Sequence, residues 1–180
     1  VDGHDIHNDI NSWQAQIGYI PQNIYLTDDN IRRNIAFGVP DNEIDETKIQ
    51  KAITLAQLEE FISSLPYGLN TEIGEKGVRI SGGEKQRIGI ARALYNDPEV
   101  IIMDEATSSL DNETEKAFMD AIRNLGGKKT IIIIAHRLST VQYCDKIFFL
   151  EKGRLLAEGT YDELLAKCPA FAKMAGIISS

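Results

Sequence analysis

The run Val100-Ile101-Ile102-Met103-Asp104-Glu105 constrains this chain more than any other stretch. Four consecutive apolar residues fit a strand buried on both faces, the kind found at the centre of a parallel sheet. Two carboxylates follow at the strand's C-terminal end, the edge where open α/β sheets bind ligands. One acid at such an edge can orient a hydrated Mg²⁺; the other can polarise a water for attack on phosphorus. Adjacent strand residues point to opposite faces, so the pair is expected to divide these two roles. Taken alone, the run is better described as a strand whose end is simply solvated.

The rest of the chain supplies partners for that strand. Ile17 to Ile20 reads as a short buried strand closed by Pro21, and Thr130 to Ala135 as a second central strand. Val1-Asp2-Gly3 reads as a strand end running into a turn. Asp45 can cap a helix through about Ser64, which Pro66-Tyr67-Gly68 ends. Ser81-Gly82-Gly83-Glu84 is a capping-box pattern opening a helix to about Tyr95, stopped by Asn96-Asp97-Pro98. Asp111 can cap a further helix that ends at Gly126-Gly127. Ile147 to Leu150 and Arg154 to Ala157 form a candidate hairpin around Lys152-Gly153. Thr160-x-x-Glu163 is a second capping box, opening a C-terminal helix that Pro169 interrupts. Strands alternating with helices predict an α/β fold with a mainly parallel sheet. The helical stretch over about 44–97 reads as an insert with its own packing.

Other residues carry chemistry. Successive N–H groups at Ser81-Gly82-Gly83 can form an anion site at a helix N-terminus, with no Cβ in the way at the glycines. His136 closes a strand and can donate a hydrogen bond to a phosphate, though a histidine there is also ordinary structure. Gln22 follows the first strand; it is either a surface residue or an amide able to ligate Mg²⁺ or hold a water. The formal net charge of −8 counts against nucleic acid as a partner, since phosphate backbones need clustered cations. No apolar run approaches the roughly 18–20 residues that span a bilayer, and the polar, acidic N-terminus does not resemble a signal peptide. Cys144 and Cys168, far apart and without CxxC spacing, read as two semi-buried thiols in a reducing compartment.

The order Gln22, Ser81-Gly82-Gly83-Glu84, Asp104-Glu105, Ser109-Leu110-Asp111, His136 resembles the nucleotide-binding domain of ABC transporters over essentially the whole chain. Gln22 matches the Q-loop glutamine, Ile80 to Lys85 the signature motif, and Val100 to Asp104 the Walker B strand. Glu105 matches the general base, Ser109-Leu110-Asp111 the D-loop, and Ala135-His136-Arg137 the switch-histidine region. Thr71-Glu72-Ile73-Gly74-Glu75-Lys76-Gly77 resembles the loop that touches the coupling helices of the membrane domain in ABC exporters. The resemblance implies a P-loop NTPase-like α/β core over about 1–43 and 98–180, and a helical subdomain over about 44–97. It implies ATP and Mg²⁺ as ligands. Glu105 and His136 would be catalytic, and Asp104 with Gln22 would hold Mg²⁺, partly through water. Gln22, Ser81, Gly82, Gly83, Glu84 and Asp111 would line bound nucleotide. Partners would be a second ATPase domain and a transmembrane domain, at the cytoplasmic face of a membrane; the transported substrate is not readable.

Two departures stand inside the signature, where Ile80 replaces leucine and Glu84 replaces glutamine; the serine and both glycines are kept. Glu84 suits the capping box, so little cost is expected. A larger departure is that Gly-x-x-x-x-Gly-Lys-[Ser/Thr] occurs nowhere. Gly127-Lys128 is followed by Lys129, and Ile122 stands where the first glycine belongs. The family's P-loop lies upstream of the segment matching Val1, so the chain reads as a truncated domain, inactive alone and prone to self-association through exposed strand edges. The alternative is a P-loop-less regulatory module that pairs with a complete ATPase domain.

Overall fold

The computed structural model describes residues 3, 5–74, 77–107, 110–125 and 129–176. They form two units, Val1–Ile134 and Ala135–Ser180. The first runs α1 (Ile10–Ala15), β1 (Ile17–Ile20), β2 (Asp29–Asn30), α2 (Ile31–Ile35), α3 (Glu46–Leu55), α4 (Glu59–Ser64), β3 (Glu72–Ile73), α5 (Gly82–Leu94), β4 (Val100–Asp104), α6 (Asn112–Leu125) and β5 (Thr130–Ile134). The second runs α7 (Leu138–Val141), β6 (Ile147–Glu151), β7 (Arg154–Gly159), α8 (Tyr161–Lys167) and α9 (Pro169–Met174).

β1, β4 and β5 form a parallel sheet in that order. Ile20 stands opposite Met103, and Asp104 opposite Ile134. The expected strand over 100–103 is therefore central, but only one of its faces is sealed. Ile101 and Met103 are buried with Ile20, Ile88 and Ile90, whereas Val100, Ile102 and Asp104 are half-buried. The 130–135 run, expected as a second central strand, takes the outer position, with Ile132 and Ile134 about half exposed. A continuous apolar run reports strand character but not which faces are covered.

Two glycines let α5 lie close to its neighbours. A Cβ on Gly18 of β1 would meet the carbonyl oxygen of Ala93 at 2.6 Å, and one on Gly89 would meet Ile24 Cδ1 at 2.3 Å. The core collects Ile20, Ile31, Ile35, Ile49, Leu58, Ile88, Ile90, Ile101 and Met103, joined by Phe118 and Ile122 of α6. Full burial of each such side chain contributes about 1.5–3 kcal/mol.

The helix expected from Asp45 to Ser64 is two helices. Asp45 does cap α3, accepting from the N–H groups of Thr47 and Lys48. The break falls at Gln57, whose φ is +55°. Leu58 N–H reaches the Ile53 carbonyl at 3.1 Å and Gln57 N–H reaches Thr54 at 3.2 Å, the bond pair of a Schellman motif. That turn carries Leu58 into the core, fully buried, which offsets the strain of a non-glycine residue in the left-handed region. Arg87 Nη1 donates to the freed Gln57 carbonyl at 3.1 Å.

In the second unit, β6 and β7 form the expected hairpin, with a register irregularity at Phe149/Leu150. Thr160 and Glu163 close a capping box at α8, and Pro169 stands in the first turn of α9. Ile147, Leu164 and Phe171 make its core; Phe149 and Tyr161 meet Phe171 edge-on at 5.5 and 5.6 Å. Cys144 and Cys168 are half-buried beside it as free thiols. Among the described residues no helix is long and apolar enough to cross a membrane. The expected turn at Val1-Asp2 and the helix end at Gly126-Gly127 lie outside the described residues.

Candidate nucleotide site

The parallel pairing of β1 and β4 builds the centre of the site. Past the end of the ladder, Gln22 Nε2 donates to Glu105 Oε2 at 2.7 Å. Next to it, Tyr19 Oη donates to Asp104 Oδ2 at 3.2 Å. The two adjacent acids thus have different partners. Strand alternation is not the device that separates them, since β4 has ended at Asp104. Glu105 has φ +47°, a left-handed turn for a non-glycine residue, while its N–H extends the ladder to the Ile134 carbonyl at 2.9 Å. Strained backbone of this kind is concentrated at functional sites.

Gln22 is exposed, and Asp104 and Glu105 are half-buried. An ionised carboxylate accepts hydrogen bonds only, and it can take a proton from a bound water. Burial, reinforced by the hydrogen bond and charge of Asp104, raises the pKa of the Tyr19 phenol, so it stays a donor. Nothing in the sequence pattern marks Tyr19. Only the register reveals it, because Tyr19 pairs with Ile102 and Asp104 lies two residues further along the same face.

Among the described residues no cluster of three or more His, Cys, Asp or Glu side chains could hold a metal. Hard oxygen donors are nevertheless present in the Asp104 carboxylate and the Gln22 carbonyl. Mg²⁺ suits that set, because it is commonly held by one or two carboxylates, with waters and substrate phosphates completing its octahedron.

The expected capping box at α5 is formed locally. Ser81 N–H donates to Glu84 Oε2 at 2.6 Å and Glu84 N–H to Ser81 Oγ at 3.2 Å. Glu84 thus serves the box while Gly82 and Gly83 open the helix. Asp111 caps α6, accepting at Oδ1 from the N–H groups of Glu113 and Thr114 at 3.1 and 3.0 Å, and at Oδ2 from the Thr114 hydroxyl at 2.7 Å. The Thr114 amide, then its hydroxyl, hold the Asp111 carboxyl below the usual carboxylate range. Ser109 lies outside the described residues, as do Glu75 and Lys76 of the 71–77 loop. His136 belongs to the second unit, exposed ahead of α7.

Comparison with known proteins agrees with this architecture. The ABC transporter family profile matches residues 1–108, and the chain belongs to that family. Its relatives are of the exporter kind. A multidrug resistance ABC transporter ATP-binding and permease protein of Lactococcus lactis is 41% identical over 96% of this chain and 29% of its own length. An ATP-dependent lipid A-core flippase of Shewanella denitrificans is 45% identical over 91% of this chain and 27% of its own length. The solved structure of a bacterial Atm1-family ABC exporter with ATP bound superposes with a TM-score of 0.89. It is 39% identical and covers 97% of this chain and 31% of that one. The fold is therefore the ABC ATPase form of the P-loop NTPase α/β fold, present in part; the chain spans under a third of the length of these relatives.

Proposed function

We propose that the chain is the signature-bearing and water-activating part of an ABC exporter's ATPase domain, in which ATP hydrolysis powers transport across a membrane. The observation that carries this reading is the Gln22–Glu105 hydrogen bond at the C-terminal edge of the parallel sheet. On this reading Glu105 takes the proton of the attacking water while Gln22 fixes its carboxylate. His136 donates a hydrogen bond to the γ-phosphate. Asp104 and Gln22 hold Mg²⁺, partly through water; when bound, the ion neutralises charge on the phosphate oxygens. Ser81, Gly82 and Gly83 offer N–H groups to the γ-phosphate of ATP held on a partner domain. Glu84 keeps that box closed, and Asp111 holds the start of α6 beside the nucleotide.

The same reading makes 1–43 and 98–180 the α/β core and 44–97 the helical subdomain. It places the domain at the cytoplasmic face, against a second ATPase domain and the coupling helices of a transmembrane domain. The 180 residues contain no Gly-x-x-x-x-Gly-Lys-[Ser/Thr] motif, whose backbone and lysine supply the main grip on the β- and γ-phosphates. By itself the chain therefore neither binds nor hydrolyses ATP, and its half-exposed Tyr19, Ile132 and Ile134 favour self-association. Calorimetric titration of the chain with Mg-ATP, beside a phosphate-release assay, tests this. The expected result is no heat at millimolar nucleotide and no turnover; micromolar binding contradicts the reading.

A further inference from the structure

Arg92 stands in the last turn of α5, half-buried, and burial lowers its pKa. Its guanidinium is spread over three neutral oxygens. Nε donates to the Asn34 carbonyl at 2.8 Å, Nη2 to Asn34 Oδ1 at 3.0 Å, and Nη1 to the Tyr25 carbonyl at 2.7 Å. The Phe37 ring lies beneath it, its centre 4.9 Å away. A cation drawn out of water toward neutral acceptors gains no ion pair to offset its desolvation. What the position uses is the planar fork, which lysine cannot reproduce.

The fork grips a hub. Asn34 is fully buried. Its Oδ1 also accepts from the Thr27 N–H and hydroxyl at 3.0 and 3.2 Å, and its Nδ2 donates to the Thr27 and Asn30 carbonyls at 3.1 Å each. Ile24, just upstream, is packed against Gly89 of the same helix. The stretch that leaves Gln22 is thus fastened to α5 at Ile24, Tyr25 and Asn34, and Asn34 in turn holds Thr27. That helix begins at the Ser81–Glu84 box.

We infer that Arg92 is a positioning residue that binds the segment downstream of Gln22 to the signature helix, and so sets how the Gln22 amide meets Glu105. It touches neither residue and acts through the Tyr25–Asn34 segment. The inference rests on the roles proposed above for Gln22 and Glu105.

The test is a double-mutant cycle in the complete exporter, with Arg92→Lys and Gln22→Ala made singly and together. Arg92→Lys should lower kcat about tenfold, within the range for a displaced catalytic group, with KM for ATP nearly unchanged. Gln22→Ala should add little to it, because both changes remove one function. Amide exchange should quicken over residues 24–34 and stay unchanged in α3. Phe37→Leu, at an exposed ring, loosens the same guanidinium and should lower kcat in the same direction, which keeps the test open if Arg92→Lys does not accumulate. An unchanged kcat in Arg92→Lys, fully multiplicative effects with Gln22→Ala, or protection lost equally in α3 overturns the proposal. If Gln22→Ala alone leaves kcat unchanged, the role given to Gln22 fails and takes this inference with it; multiplicative effects with Gln22→Ala impaired remove only Arg92.

Discussion

Gln22 and Glu105 stand level with each other across two parallel strands, joined by a 2.7 Å hydrogen bond from Nε2 to Oε2. The register explains it. Ile20 pairs with Met103, and each site residue lies two positions beyond. Because neighbouring strands are about 4.8 Å apart, a two-residue extension on both sides leaves side chains within reach. A one-residue slip in that pairing would separate them.

That contact makes Glu105 sensitive to what stands at position 22. Gln22→Glu, nearly isosteric, puts a second carboxylate against the first. A like charge at hydrogen-bond distance replaces the amide donor with repulsion. Phosphate release by the complete exporter should therefore fall about tenfold or more, as for a displaced catalytic group. A rate close to that of the unsubstituted protein means the Gln22–Glu105 contact does not govern turnover.

Gly89 is fixed by contact, not by backbone conformation. Alanine there gains about 1 kcal/mol of helix propensity but drives a methyl into Ile24, a buried residue with little room to retreat. Overpacking of that kind costs about 1–3 kcal/mol. Gly89→Ala should therefore lower stability in denaturant unfolding, and a gain of about 1 kcal/mol would contradict the packing described.

Asp97 gives the fold an acid-sensitive tie. Lys51 and Lys129 each reach it at 3.0 Å, and these partners, Lys51 first, hold its carboxyl below the usual range. Lys129 also donates to the Asp97 and Pro98 carbonyls. A depressed folded pKa stabilises fully above the unfolded value, about 3.9, and the benefit is lost as pH falls through the lower folded value. Asp97→Asn keeps a residue that tolerates the local φ of +53° and should cost at most about 1 kcal/mol near pH 7, since the group is half exposed. The gap between the two proteins should close as pH drops below about 3.9; melting curves at several pH values measure it.

The legible parts of this molecule are those whose physics is local. The run from Val100 to Glu105 names a central strand and its acids. Ser81-Gly82-Gly83-Glu84 and Thr160-x-x-Glu163 name helix starts, because a capping box is completed within four residues. What the sequence hides depends on distant partners. No glycine or proline announces the break at Gln57; burial of Leu58 imposes it. Tyr19 and Arg92 look like an ordinary strand aromatic and an ordinary helix cation until Asp104 and Asn34 are placed beside them. The open face of β5 is equally unreadable, since Thr130 to Ile134 has the composition of a strand covered on both sides.

Glu105→Gln in the complete exporter tests the account most directly. The substitution keeps the shape of the side chain and removes its capacity to take a proton. ATP binding should persist while steady-state phosphate release falls about 10²–10⁴-fold, the usual contribution of a general base. Phosphate release within a few-fold of the unsubstituted protein would contradict the role assigned to Glu105, and with it the reading of the Gln22–Glu105 contact as the water-activating centre.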